Sequence, residues 1–194
     1  METFDALRLC AAYAEESGLE AVLTRKGEKD APFDLVFLPE FLATEEGAMS
    51  LSVYFARSPY AFMDRLEYDL LHLMGYVEHL ARPGVLRELR AFLGEVNFQM
   101  PFGAFDVDAD GTVFLRYTLP VPREMAQETF LRQFGIAFGL LHAFAQAFLP
   151  AIRAVIEGKR TAKTAMDLVR GQLDALKATI DAALEAQKGE DPRE

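Results

Sequence analysis

The residues best suited to chemistry lie in "DVDADG", where Asp106, Asp108 and Asp110 alternate ahead of Gly111. An EF-hand calcium loop begins this way, with carboxylates at its first, third and fifth positions and a glycine at the sixth for the sharp turn. Its twelfth position must supply a bidentate carboxylate, and here that position is Tyr117. The flanking residues also alternate like strands, where an EF-hand needs amphipathic helices. The stretch therefore reads as a hairpin turn. Asp110 and Gly111 tolerate the positive φ of such a turn, and Phe105, Val107, Val113, Leu115 and Tyr117 take alternate positions on its two arms.

Other candidates are sparser. His72 and His79 stand seven residues apart and His142 is remote, so the His-x-x-x-His spacing of a helical metal site is missing. Cys10 is the single cysteine, which excludes an intramolecular disulfide and a Cys-based zinc site. No nucleophile elbow, phosphate-binding glycine loop or dinucleotide fingerprint occurs. Glu45 and Glu46 sit in an expected loop, where solvated charge explains them. The sequence nominates no catalytic residue, cofactor or metal, which leaves an enzyme only as a dispersed site converging from distant positions.

The whole chain must position whatever surface does the work. Its 194 residues are 51% apolar and 26% charged, the balance of a folded globular protein with a sizeable core. Thirty acidic against twenty basic residues give a net charge of −10. That sign disfavours direct contact with nucleic acid or an anionic membrane and favours a basic partner, including a nucleic-acid-binding protein. The start "METFDALRLC" lacks the basic-then-apolar pattern of a secretory signal, so a cytoplasmic location is expected. The apolar run "FGIAFGLLHAFAQAFLPAIRAVI" repeats its large residues at helical spacing, as a buried soluble helix does.

Residues 3–17 predict a helix capped by Thr3, with Phe4, Leu7, Cys10, Ala11 and Ala14 on one face and Gly18 ending it. "LEAVLTRKG" and "FDLVFLPEF" predict strands around the turn "GEKDAP", followed by a polar break at "ATEEGAMS". "SLSVYFARSPYAFMDRL" fits strand or short helix. Tyr68 to Val77 alternates as a strand, and Gly75 argues against a helix there. Val85, Leu86, Leu89, Phe92, Leu93 and Val96 then form a helical stripe. The hairpin over "GAFDVDADGTVFLRYTLPVP" follows, closed by two prolines that stop strand pairing.

A long helix is expected from about Arg123 to Glu157, kinked or divided at Pro150. Its apolar face carries Phe130, Phe134, Phe138, Leu141, Phe144, Phe148 and Ile152. Phe134, Phe138, Phe144 and Phe148 together with Ile136 and Leu140 exceed what one sheet face should absorb, which suggests a dimer interface or client groove, although a buried helix can also be apolar all round. A last helix over residues 161–187 places Met166, Val169, Leu173, Leu176, Ile180 and Ala183 at alternating spacings of three and four, a short heptad seam. That seam can cover the chain's own domain or pair with a second chain. Residues 189–194 read as a disordered tail.

The segment "LRELRAFLGEVNFQMPFGAFDVDADGTVFLRYTLPVP", with the apolar helix through "FAQAFLPAI", resembles the bacterial YbjN family, whose members are similar in fold to type III secretion chaperones. Asn97, Phe105, Asp110-Gly111, Arg116, Tyr117, Pro120 and Pro150 carry the likeness. It is good over residues 83–157, extends to the N-terminal elements and is absent from the last helix. The resemblance implies an α+β domain over residues 1–157, an antiparallel sheet flanked by helices, commonly dimeric and working by holding another protein. The helix at 158–188 and an insertion around residues 45–65 are additions to the secretion-chaperone pattern. The expected function is a non-enzymatic, chaperone-like or adaptor module on a homodimer. Self-association or partner binding would fall to Met166, Val169, Leu173, Leu176, Ile180, Phe134, Phe138 and Phe144. A regulator of transcription or stress response, acting through a basic DNA-associated partner, is the alternative.

Overall fold

A computed structural model describes residues 2–45, 47–56, 67–100 and 102–174, and the structural statements below concern these. The chain runs α1 (Thr3–Glu16), β1 (Val22–Thr24), β2 (Leu35–Thr44), β3 (Gly47–Ala56), β4 (Tyr68–Leu80), α2 (Leu86–Gln99), β5 (Ala104–Val107), β6 (Thr112–Pro122), α3 (Gln127–Ile156) and a helix over 162–174, here α4. The six strands form one antiparallel sheet in the order β1-β2-β3-β4-β6-β5. This is the α+β fold that the sequence predicts, with the strand reading of Tyr68 to Val77 upheld and extended to Leu80.

Strand alternation divides the sheet into two faces. Val36, Leu38, Met49, Leu51, Val53, Leu71, Leu73, Val113, Leu115, Leu119 and Val121 point one way and are buried in a single core with residues of all four helices. The central member is α3, where Phe130, Phe134, Phe138 and Phe148 pack inward; burying each contributes about 2–3 kcal/mol. The Tyr13 ring of α1 meets Phe134 and Phe138 edge-on, and Phe148 meets Phe105 of β5. By length and composition α3 could cross a membrane, but more than half of its most apolar stretch is buried inside this fold.

Several local expectations change. Thr3 is the first helical residue of α1, and the cap position is Glu2, without a side-chain cap bond. Gly18, at φ +82°, does end the helix: its N–H donates to the Glu15 carbonyl, and that of Leu19 to the Ala14 carbonyl. The polar break shrinks to the tip of the β2–β3 hairpin, because Ala43–Thr44 and Gly47–Ser50 pair as strand. Pro150 does not divide α3, which is continuous to Ile156 and begins at Gln127 rather than Arg123.

Pro120 and Pro122 also fail to stop pairing; they lie opposite Leu70 and Tyr68 in β6. The N–H of Arg123 donates to the Glu67 carbonyl, so the alternating positions 120 and 122 turn their nitrogens away from β4. On that side β5 reaches only as far as the residue opposite Arg116, and no ladder bond is lost.

The turn that opened the sequence reading closes the β5–β6 hairpin. The Asp108 carboxylate Oδ1 accepts the N–H groups of Asp110 and Thr112, and Asp106 Oδ1 accepts that of Val107. Gly111, at φ +89°, sits so close to β4 that a Cβ would strike the Ala81 carbonyl, and its own carbonyl accepts the Ala81 N–H at 2.8 Å. Gly75, on the inner face of β4, instead leaves room for Met49, whose sulfur would be 2.8 Å from an added Cβ. Gly111→Ala should therefore cost on the order of 3 kcal/mol in urea denaturation, because backbone cannot yield. Gly75→Ala should cost about 1 kcal/mol, because the flexible Met49 side chain can move.

Candidate functional site: the open face of the sheet

The other face of the sheet carries Leu35 and Phe37 from β2, Ser50, Ser52 and Tyr54 from β3, Leu70, His72, Met74 and Tyr76 from β4, and Phe114, Arg116 and Thr118 from β6. None of these belongs to the core or packs against it, and no described helix covers them. Register aligns them in rows. One row is Leu35–Tyr54–His72–Thr118, the next Phe37–Ser52–Met74–Arg116, and a third Ser50–Tyr76–Phe114–Asp106. Among the described residues no helix packs on this face, whose apolar and aromatic side chains are half-buried.

The first row is ordered by ring stacking. Phe33 stacks on Tyr54 at 4.3 Å between centroids, and Tyr54 stacks on His72 at 5.4 Å. His72 Nδ1 shares a hydrogen bond of 3.1 Å with the Thr118 hydroxyl. Desolvation lowers the His72 pKa below the usual 6.5 and raises that of Tyr54, with the nearby Tyr76 adding to the latter. His142 of α3, edge-on to Phe41, is lowered by burial as well.

The edges of the sheet are closed to further strands. The Asn97 side chain donates to the Phe105 carbonyl at 2.8 Å and accepts the Phe105 N–H at 2.7 Å, occupying the outer edge of β5 as a strand would. Asp106 caps the next outward N–H, that of Val107. Beyond β5 the edge of β6 presents Pro120 and Pro122. On the far side β1 is three residues long, and β2 beyond it carries Pro39 within a register shift between Leu38 and Leu42. Short strands, prolines and bulges are how edges are protected from pairing.

The interaction residues expected from sequence are placed elsewhere. Phe134, Phe138 and Phe144 are buried within the chain, because α3 is enclosed by the sheet, α1 and α2 and so absorbs rings that one sheet face could not. Met166 and Val169 are buried in the same core and Leu173 packs against it, so these seam positions serve the fold. Leu176, Ile180 and the tail at 189–194 lie outside the described residues. Residues 162–174 are no appendage. Thr161 and Thr164 cap the start of α4 reciprocally, and Glu88 of α2 accepts the Ala162 N–H at 2.6 Å. The outward face is legible as strand alternation, but that no described helix covers it is not. Among the described residues no cluster of three or more His, Cys, Asp or Glu could hold a metal ion.

Two measurements check this geometry. Asn97→Ala should lose about 2 kcal/mol from two backbone hydrogen bonds and, by opening the β5 edge, raise aggregation in light scattering. The depressed histidines favour the neutral form in the fold. Their contribution is therefore complete above pH 6.5 and is lost as pH falls from there through the lower folded values. The urea midpoint should drop between pH 7.5 and 5.5, and less so in the His72→Gln/His142→Gln variant.

Comparison of the sequence with curated proteins gives no match. Among solved structures, the chain is similar to a crystal structure described as "YbjN, a putative transcription regulator from E. coli". The identity is 14%, covering 75% of this chain and 92% of that one, with a TM-score of 0.47. The family model YbjN, described as "Putative bacterial sensory transduction regulator", matches residues 17–150, from the end of α1 to Pro150 of α3, and the chain belongs to that family.

Proposed function

We propose that this chain is a non-enzymatic regulatory protein of the cytoplasm that acts by holding another protein on the open face of its sheet. The observation that carries this reading is the row structure of Phe37, Tyr54, Met74, Tyr76 and Phe114, half-buried apolar and aromatic side chains that lie outside the core and under no described helix. Large apolar patches on a folded protein mark interaction surfaces, and aromatic residues and methionine are enriched where partners dock. The family description as a sensory transduction regulator accords with a protein that works through contact. The net charge of −10 directs that contact toward protein rather than nucleic acid.

This reading moves the working surface away from Phe134, Phe138 and Phe144 of α3 and from Met166, Val169 and Leu173 of α4, which are used within the fold. Regulation of transcription or stress response would then pass through a DNA-associated partner, in keeping with the acidic chain. Tyr54→Glu and Phe114→Glu test it. Each should still fold, at a cost of about 1–2 kcal/mol in unfolding free energy, because the side chains are half-buried on the sheet but stand outside the core. Each should abolish recovery of a stoichiometric partner in affinity capture from the native host. Retention of that partner by both variants would sink the proposal.

A further inference from the structure

We propose that the occupant of the open face is a basic amphipathic helix of the partner protein, laid across β3, β4 and β6. The inference rests on the open face being the protein-binding surface and adds the form and charge of what binds there. Form follows from the edges. Strand addition needs a row of free N–H and C=O groups. The β5 edge is occupied by Asn97 and Asp106, and the β6 edge beyond it is broken by Pro120 and Pro122. With strand addition at the edges disfavoured, a partner is left the face, where it packs as a second layer, and a helix about 10 Å across spans two strand spacings of about 4.8 Å each.

Charge follows from the rim. Asp106 ends the row of Ser50, Tyr76 and Phe114, and exposed Glu78 follows Tyr76 on the same side of β4. Exposed Glu40 lies at the bulge of β2 toward that same end. Arg116 is the one cation on the rows described. A second copy of the chain would bring another −10 to this surface, whereas lysine and arginine residues at one end of a helix would meet Glu78 and Asp106.

The test places photoreactive benzoylphenylalanine at Ser52, in the middle of the open face, or at Arg132, exposed on α3. The full chain is irradiated in its native host and the adducts are sequenced. The expected result is at least tenfold more adduct at position 52, on a partner segment with excess lysine and arginine and apolar residues at i, i+3, i+4 and i+7. A synthetic peptide of that segment should bind the parent chain about tenfold more tightly than the Glu78→Gln/Asp106→Asn variant at low salt, with the gap closing at high salt. An acidic segment, a segment of strand periodicity, or a segment of this same chain would overturn the basic helix while leaving the face as the interaction surface. Equal adduct at both positions, or none at position 52, would overturn both readings.

Discussion

From Gln133 to Ile152 helix α3 contains no Asp, Glu, Lys or Arg, and a helix so apolar persists in water only when neighbours enclose most of it. That constraint organises the molecule. The sheet lies beneath α3, α1 meets it through Tyr13, and α2 packs on it from the other flank. The inner faces of five strands and the buried stripes of four helices become one core around it. Its most exposed apolar residue, Ile136, is 59% accessible and has small residues, Gly139 and Ala143, along the helix from it.

Because the described helices gather in one core with α3, they lie on one side of the sheet. The opposite face carries aromatic side chains that no described helix covers. Antiparallel sheets with one solvated face ordinarily carry polar residues there. Here Ser50, Ser52 and Thr118 follow that habit, while Phe37, Tyr54, Met74, Tyr76 and Phe114 depart from it. The departure coincides with edges blunted by Asn97, Asp106, a short strand and prolines. The hairpin "DVDADG" contributes to this arrangement structurally: Asp108 and Gly111 fix the turn against Ala81, and Asp106 guards the β5 edge.

At the other end of the fold, Arg153 ties the C-terminal turn of α3 to the β2–β3 hairpin by donating to the Glu45 carbonyl at 3.1 Å, and it pairs with Glu157 at 2.9 Å. Lys159 completes the cluster, and the two cations hold the Glu157 carboxyl down at about 2. Such a clamp sets where the hairpin tip sits above α3, just as Glu88 sets where α4 begins. Both are contacts between residues far apart in the chain, made by single polar side chains at the ends of apolar elements.

The sequence by itself determined the class of fold, the helices, most of the strands and the loss of the calcium reading, because these follow from local periodicity, turn residues and one missing ligand. It also carried the family likeness, through Asn97, Phe105 and the Asp110-Gly111 turn. It did not determine which apolar residues would be left outside. Phe134 and Tyr54 look equally suited to a core in one dimension, and the heptad seam of Met166 and Val169 looks equally suited to another chain. Only the tertiary structure decided between them, because burial depends on which side of the sheet the helices occupy. That is set by the packing of α1 and α2 on α3, with α4 tied to α2, and no spacing along the chain encodes it.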